Sequence, residues 1–171
     1  MSSDSGERRY APVYLALSAV ALVGIVVSEG YTDKAVTPLP GDKPTIGFGT
    51  TTRPDGTPVR PGDRTTPPQA LARALKDVQQ FEGALRQCVS VPLRQYEYDA
   101  LISLAYNIGG EAFCGSTLVK KLNAGDYPGA CAEILRWRHF QGQDCSLAAN
   151  RCGGLWLRRN AEYKLCLGVG Q

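Results

Sequence analysis

The stretch SEGYTDKAVTPLPGDKPTIGFGTT, residues 28–51, decides the fold and carries the first candidate functional residues. A helix-compatible run ends at Glu29. The prolines and the glycine at positions 38–44 prevent a helix from continuing, because proline lacks an amide N–H and clashes with the preceding turn. TIGFG, residues 45–49, alternates small or polar residues with Ile and Phe, which predicts a short strand. We therefore expect a glutamate at the end of a helix to face a hairpin.

The stretch contains two carboxyl groups and a hydroxyl that could act together, those of Glu29, Asp42 and Thr45. Cleavage of a glycosidic bond needs a protonated carboxyl group that donates to the leaving oxygen, and an ionised one that activates water or stabilises positive charge. We expect Glu29 to be the acid and Asp42, with Thr45, to orient the water. Asp33 is the competing aspartate, although a solvated charge beside Lys34 is its simpler interpretation.

The separation of the two carboxyl groups decides the stereochemistry. A separation of about 6.5–9.5 Å predicts inversion, whereas about 5 Å predicts a covalent route with retention. The sequence leaves both open.

Five sequence blocks in a fixed order carry a resemblance to a known family. They are Glu29–Tyr31, Thr45–Gly49, residues 99–109, residues 113–125 and residues 154–162. With them the chain resembles the T4-type phage lysozymes, glycoside hydrolase family 24. The resemblance implies an α+β lysozyme-like fold, with a mainly helical body and a small β-hairpin lobe. An apolar helix is expected to precede that fold.

The same resemblance implies a function and site residues. Family members hydrolyse the β-1,4 bond between N-acetylmuramic acid and N-acetylglucosamine in bacterial peptidoglycan, and as endolysins they lyse the host cell. It assigns Glu29 as catalytic acid and Thr45 as the residue that helps to position water. It also places Tyr106, Asn107 and Ser116 near the substrate. For Tyr106 taken alone, core packing is the simpler interpretation.

The aspartate departs from the family pattern. The usual position falls at Pro38 or Leu39 in this chain, and Asp42 lies nearer to Thr45. Where many relatives have a histidine after the strand, this chain has Thr50. Two other functions therefore stay open. One is a catalytically silent, membrane-anchored protein that binds the cell wall. The other is a lytic transglycosylase, which needs only the acid.

An uncharged run, YAPVYLALSAVALVGIVVS, occupies residues 10–28 and follows a polar N-terminus, residues 1–9. It is close to the roughly 20 residues that a helix needs to cross a bilayer. Arg8 and Arg9 favour a cytoplasmic N-terminus with the remainder translocated. A signal peptide cleaved near Ala19-Val20-Ala21 and a buried core helix are the alternatives.

The weak hydrophobicity of residues 10–28 also resembles signal-anchor-release endolysins. That resemblance implies a phage-encoded enzyme that is first held in the host inner membrane and later released into the periplasm. Residues 29–171 would form the lysozyme domain. We expect a monomer whose partners are peptidoglycan and, through residues 10–28, the inner membrane.

Hydrophobic periodicity predicts a helical body. Residues 69–88 form a long helix with Thr65 or Thr66 as N-cap and Pro67 and Pro68 in its first turn. Residues 53–68 form a hairpin loop with a turn at Asp55-Gly56. Further helices are predicted over residues 93–107, after the N-cap Ser116, over 127–138 and over 154–167.

The composition limits the kinds of functional site that we expect in this chain. The 171 residues suit one domain or one domain with two lobes. Nineteen basic and sixteen acidic residues give a formal charge of +3, which does not indicate nucleic acid binding. His139 is the only histidine, so a histidine-based triad or a zinc site is not expected. We expect no metal and no cofactor.

The six cysteines all follow the uncharged run, which favours disulfides formed in an oxidising compartment. Fifteen pairings are possible. We favour Cys131–Cys166 and Cys145–Cys152, which leaves Cys88–Cys114. Metal binding and reduced, buried thiols are the alternatives.

Overall fold

The computed structural model describes residues 8–38 and 41–169. These residues form two compact units. The smaller unit comprises residues 19–80, and the larger unit combines residues up to Ser18 with those from Phe81 onward. The N-terminal residues 1–7 and Leu39, one of the positions considered for the aspartate, lie outside the described residues.

The smaller unit contains one helix, a hairpin and the start of a long helix. Its elements are α1 (Ala19–Glu29), β1 (Thr32–Val36), β2 (Thr45–Gly47) and the first part of α2 (Pro67–Cys88). The strands are antiparallel, with Thr32 opposite Gly47 and Val36 opposite Thr45. Because β1 advances from 32 to 36 while β2 advances only from 45 to 47, β1 is bulged. The strand predicted over residues 45–49 is present but shorter, because residues 48 and 49 belong to a turn.

The loop between β2 and α2 is held to the hairpin by backbone bonds. The Ala35 N–H donates to Asp63 O at 3.0 Å, and the Thr65 N–H donates to Asp33 O at 3.0 Å. A turn occurs at Asp55-Gly56, where Gly56 has φ +84° and Thr57 N–H donates to the Asp55 carboxylate. α2 begins at Pro67, and the Gln69 side chain accepts from the Thr66 N–H at 3.1 Å. The predicted helix start and turn are both present.

The larger unit is helical. It contains the end of α2, α3 (Gln95–Ile108), α4 (Gly110–Cys114), α5 (Thr117–Asn123), α6 (Tyr127–Glu133), a small hairpin of β3 (His139–Phe140) and β4 (Gln143–Asp144), and α7 (Gly153–Cys166). α3 is its centre: most of its side chains are buried, and it packs against α7. Gly109, with φ +91°, ends α3 as predicted. The predicted helix over 127–138 is shorter, because a 3-10 turn, Ile134–Arg136, replaces its last part.

The three predicted disulfides are present. Cα–Cα distances are 5.6 Å for Cys88–Cys114, 5.7 Å for Cys131–Cys166 and 5.0 Å for Cys145–Cys152. The alternatives of metal binding and reduced thiols do not hold in this structure, because all six sulfur atoms are bonded in pairs.

The predicted apolar helix over residues 10–28 is not confirmed as one helix. A 3-10 turn occupies Pro12–Tyr14, and α1 begins only at Ala19. Among residues 8–38 and 41–169, no helix combines the length and the apolar character that crossing a membrane requires. The bonds that hold residues 9–18 explain the difference.

Residues 9–18, which we call the N-terminal strap, are bonded to α2 and α3 in the larger unit. Tyr10 and Leu93 exchange backbone hydrogen bonds of 2.7 and 2.8 Å. The Leu17 N–H donates to Glu82 Oε1 at 2.7 Å, and the Ser18 N–H donates to Asp99 Oδ1 at 3.0 Å. These amides bind distant carboxylates, so residues 15–18 stay outside α1, which begins at Ala19.

Candidate active site

Glu29 is the last residue of α1, and its side chain is partly buried. Its carboxylate lies against the turn that follows β2. A Cβ atom at Gly49 would be 3.4 Å from Glu29 Oε2, and Gly49 itself has φ +83°. The left-handed backbone and the absent side chain at Gly49 therefore let the turn approach the carboxylate closely. The predicted arrangement of Glu29 opposite the hairpin is present.

Thr45 is the first residue of β2 and lies opposite Val36. Its side chain is partly buried, and its hydroxyl donates to the Val36 carbonyl at 3.5 Å. A bond of this length is weak. Strand β2 leads directly from Thr45 into the turn against which the Glu29 carboxylate lies.

Asp42 lies in the connection between β1 and β2, three positions before Thr45, and is exposed. The competing aspartate, Asp33, is in β1 and faces the loop. Its carboxylate is 3.8 Å from Arg64 Nη1, and the two side chains are 62% and 67% exposed. Asp33 thus has the environment of a solvated surface charge, which was its simpler interpretation.

Thr50 occupies the position where many relatives have a histidine. Its side chain is buried, and its hydroxyl donates to Asp77 Oδ2 at 2.7 Å. The bond joins the end of the β2 turn to α2. Sequence reasoning missed this pair, because helical periodicity places Asp77 on the polar face of α2 and gives no sign of a partner.

The three candidate substrate residues lie in the larger unit. The ring of Tyr106 packs against Phe81, with centroids 5.2 Å apart. The side-chain oxygen of Asn107 accepts a hydrogen bond from Arg159 Nη2. Ser116 is the N-cap of α5 and accepts from the Val119 N–H at 3.3 Å, as its sequence position predicted. Each of these side chains has a structural partner.

A buried charge network fixes Asn107. Arg159 is fully buried and donates to Glu162 Oε2 at 2.7 Å. Glu162 Oε1 also accepts from Ser103 Oγ at 2.7 Å and from Arg158 Nε at 3.1 Å. Sequence reasoning noted Arg159 and Glu162 only as parts of a family block. Their spacing of three residues in a helix was the available signal for the ion pair.

No group of three or more His, Cys, Asp or Glu side chains that could hold a metal ion occurs within residues 8–38 and 41–169.

Comparisons with known proteins agree with this fold. The family described as phage lysozyme matches residues 27–162. An endolysin of Acyrthosiphon pisum secondary endosymbiont phage 1 is 42% identical over 123 residues, which cover 71% of this chain and 77% of the relative. The SAR-endolysin of Pseudomonas phage phiKMV is 35% identical over 156 residues, which cover 91% of each protein.

A solved structure extends the likeness to three dimensions. The endolysin from Escherichia coli O157:H7 phage FAHEc1 superposes with a TM-score of 0.77 and is 36% identical. The match covers 90% of this chain and 94% of that protein. The lysozyme-like fold is therefore confirmed. The chain belongs to the phage lysozyme family, and it is a glycoside hydrolase, an endolysin that acts on peptidoglycan.

Proposed function

We propose that Glu29, Asp42 and Thr45 carry out the hydrolysis of the β-1,4 bond between N-acetylmuramic acid and N-acetylglucosamine. The observation that supports this most is the packing of the Glu29 carboxylate against the β2 turn, at 3.4 Å from the position of a Gly49 Cβ. It brings the acid to the strand that begins with Thr45. The connection that contains Asp42 precedes the same strand.

The roles follow from the chemistry of each group. The Glu29 carboxyl donates its proton to the glycosidic oxygen, so the leaving sugar departs with a neutral hydroxyl. The ionised Asp42 accepts a proton from a water molecule that attacks the anomeric carbon. Within residues 8–38 and 41–169 the Thr45 hydroxyl has only its long bond to Val36 O, so it can exchange that acceptor for the attacking water.

Digestion of purified peptidoglycan tests the assignment. Glu29→Gln and Asp42→Asn should each lower the rate by at least about 100-fold, since they remove the acid and the base. Asp33→Asn is the matched control, because it removes an exposed carboxylate of the same hairpin and should leave the rate unchanged. The released sugar ends and the anomer that forms first are read by NMR.

The product analysis separates the alternatives. Free reducing muramic ends, lost in both the Glu29 and Asp42 variants, support the proposed roles. Anhydro ends, or an Asp42→Asn protein with full activity, would rule out Asp42 as the base. A protein that sediments with cell walls but never lowers their turbidity would be a silent binder. The first-formed anomer distinguishes inversion from retention.

We also propose that residues 10–28 first anchor the chain in the host inner membrane and then enter the folded enzyme in the periplasm. Three observations support this. The run is uncharged, the phiKMV relative is a SAR-endolysin, and the strap within the run is bonded to α2 and α3. Residues 29–171 would remain the lysozyme domain, acting as a monomer.

Fractionation of expressing cells tests the anchor. Ala16→Leu with Ala19→Leu and Ala21→Leu makes the run more apolar and should keep the protein in the membrane fraction without lysis. Serine at the same three positions is the control and should shift protein to the periplasm. If the leucine variant is membrane-held and still digests peptidoglycan as fast as the released form, the proposal is wrong. Mass spectrometry of the periplasmic protein shows whether the run was cleaved.

A further inference from the structure

The β2 turn spans residues 46–50 and is closed by two backbone hydrogen bonds. The Ile46 N–H donates to Thr50 O at 3.0 Å, and the Thr50 N–H donates to Ile46 O at 3.1 Å. Between them, Gly47 and Gly49 have φ +66° and +83°, backbone angles that glycine adopts without steric cost. Because the turn is short and closed, a displacement of one of its residues displaces the others.

The β2 turn is attached to α2 at two places. Gly47 packs closely on Ala70, since a Cβ at Gly47 would lie 2.8 Å from the Ala70 Cβ. The Thr50 hydroxyl donates to Asp77 Oδ2 at 2.7 Å. Ala70 and Asp77 are seven positions apart, close to two turns of an α-helix, so they lie on the same face of α2. The hydrogen bond adds a preferred direction to the packing contact, because it weakens when donor and acceptor are misaligned.

The same turn contacts the end of α1. Glu29 Oε2 lies 3.4 Å from the position that a Gly49 Cβ would occupy. The Tyr31 ring packs against Phe48 in the turn, with the ring centroids 5.4 Å apart. Gly49 therefore lies against the Glu29 carboxylate, and the next residue, Thr50, is bonded to α2. One peptide bond connects the two contacts.

The bond between Thr50 and Asp77 is well suited to hold the turn in place. Thr50 is 5% exposed, and Asp77 is partly buried. Hydrogen bonds to an ionised carboxylate are stronger than those between neutral groups. Loss of the hydroxyl would leave Asp77 Oδ2 without this donor beside a buried side chain, which is unfavourable. We expect the turn to move away from α2 so that water can replace the hydroxyl.

From this geometry we propose that Thr50 and Asp77 are positioning residues for the catalytic acid. Their hydrogen bond holds the β2 turn on α2, and the turn in turn holds the Glu29 carboxyl in the orientation that proton donation needs. The inference rests on the proposed function, which assigns the acid to Glu29. A misplacement of about 1 Å can lower a rate about 100-fold, so a small displacement of the turn is sufficient to slow the reaction.

Steady-state hydrolysis of soluble peptidoglycan fragments tests this role. Thr50→Val removes the hydroxyl with little change in side-chain volume. It should lower kcat at least about tenfold and leave KM unchanged, because Thr50 is buried and acts only through the position of the acid. Thr50→Ser keeps a hydroxyl and should restore most of the rate. Equal kcat values for the valine and serine variants would overturn the proposal.

Variants of Asp77 supply a second test, which also decides the result if Thr50→Val does not fold. Asp77→Ala removes the acceptor and should lower kcat about as much as Thr50→Val. Asp77→Asn keeps an oxygen acceptor and should lose less. The double variant Thr50→Val with Asp77→Ala should lose no more than either single variant, because both changes remove the same bond. Additive losses would contradict a role that the two residues share.

Two controls separate positioning from a general loss of stability. Thr57→Val removes another bond of 2.7 Å between a hydroxyl and an aspartate, Asp55, in the same unit, and should leave kcat unchanged. Asp63→Asn weakens the ion pair with Arg53 and should lower Tm without lowering kcat at temperatures where the protein is folded. A Thr50→Val protein that loses only Tm and keeps its kcat would overturn the proposal.

Crystal structures of the unchanged protein and of Thr50→Val give a result that does not depend on hydrolysis. The variant should show the β2 turn displaced from α2 and a longer distance from the Gly49 Cα to the Glu29 carboxylate. The same distance in both proteins would overturn the proposal. Full activity of Glu29→Gln would contradict the proposed function instead, and the two structures would still show whether the hydrogen bond positions the turn.

Discussion

Gly47 is the residue whose identity the packing of the smaller unit dictates most strictly. It has φ +66°, and a Cβ there would lie 2.8 Å from the Cβ of Ala70 in α2. Gly47→Ala should therefore combine left-handed strain of about 1–2 kcal/mol with an overpacking cost of about 1–3 kcal/mol. Urea unfolding measures the sum.

Gly56→Ala is the matched control for that substitution. Gly56 has φ +84°, but a Cβ there would meet no atom within 4 Å. It should show the strain without the clash and lose less stability than Gly47→Ala. Equal losses would mean that the contact with Ala70 does not limit residue 47.

Asp63 gives the smaller unit an acid-sensitive contribution to stability. Bonds from the Arg53 side chain and the Arg60 N–H lower the pKa of Asp63 from 3.8 to about 2. Because the folded pKa is depressed, the contribution is fully present above about pH 3.8 and is lost as the pH falls through about 2. Asp63→Asn should lower Tm at pH 5, and the difference from the unchanged protein should narrow toward pH 2.

Arg53→Gln is the companion variant for this pH series, because the Arg53 bond is the largest cause of the shift. It should raise the pKa of Asp63, and its Tm difference from the unchanged protein should also narrow toward pH 2. A Tm difference that is constant from pH 5 to pH 2 would contradict the role of this ion pair.

At the scale of elements, the N-terminal strap satisfies three buried carboxylates. Arg9 donates to both oxygens of Glu97, at 2.7 and 3.2 Å, and Glu82 and Asp99 accept from strap amides. All three carboxylates are at most 7% exposed. Without the strap they would lose these donors while remaining in α2 and α3.

Deletion of residues 1–18 should therefore be costly. Removing one partner from a buried ion pair typically costs about 3–5 kcal/mol, and Arg9–Glu97 is such a pair with one partner partly exposed. Deletion of residues 1–7 is the control, because it retains Arg9 and the strap. Denaturant unfolding of the two proteins measures the difference. Equal stabilities would show that the strap is not an integral part of the larger unit, as expected of a cleaved signal peptide.

At the scale of the whole molecule, all three disulfides lie in the larger unit and close loops of different length. Cys131 and Cys166 are 35 positions apart, whereas Cys145 and Cys152 are 7 apart. In the chain-entropy view, a longer loop restricts the unfolded chain more. Cys131–Cys166 joins α6 to α7, and Cys145–Cys152 closes a local loop.

Replacing both cysteines of one disulfide by serine should show that the disulfide closing the longer loop contributes more to the free energy of unfolding. Cys131→Ser with Cys166→Ser should cost about 4 kcal/mol, and Cys145→Ser with Cys152→Ser about 2.5 kcal/mol. Both proteins are compared with the unchanged one by denaturant unfolding under oxidising conditions. A larger loss for the short loop would mean that local packing, rather than loop length, determines the contribution.

The sequence by itself determined the features that depend on local signals. Proline and glycine positions predicted the break after Glu29, and hydrophobic periodicity predicted α2, α3 and α7. Ser116 was recognised as an N-cap, because a cap needs only its own helix. The ordered blocks predicted the lysozyme-like fold, and the cysteine positions favoured the observed disulfides.

Only the tertiary structure decided features that depend on contacts between distant residues. Residues 15–18 of the apolar run stay outside α1, because the Leu17 amide binds a carboxylate 65 positions away and the Ser18 amide binds one 81 positions away. The hydrogen bonds of Thr50 with Asp77 and of Asn107 with Arg159 likewise join residues that are far apart in the sequence. Periodicity reports which face of an element is apolar, but it does not report which polar group a folded chain brings to that face.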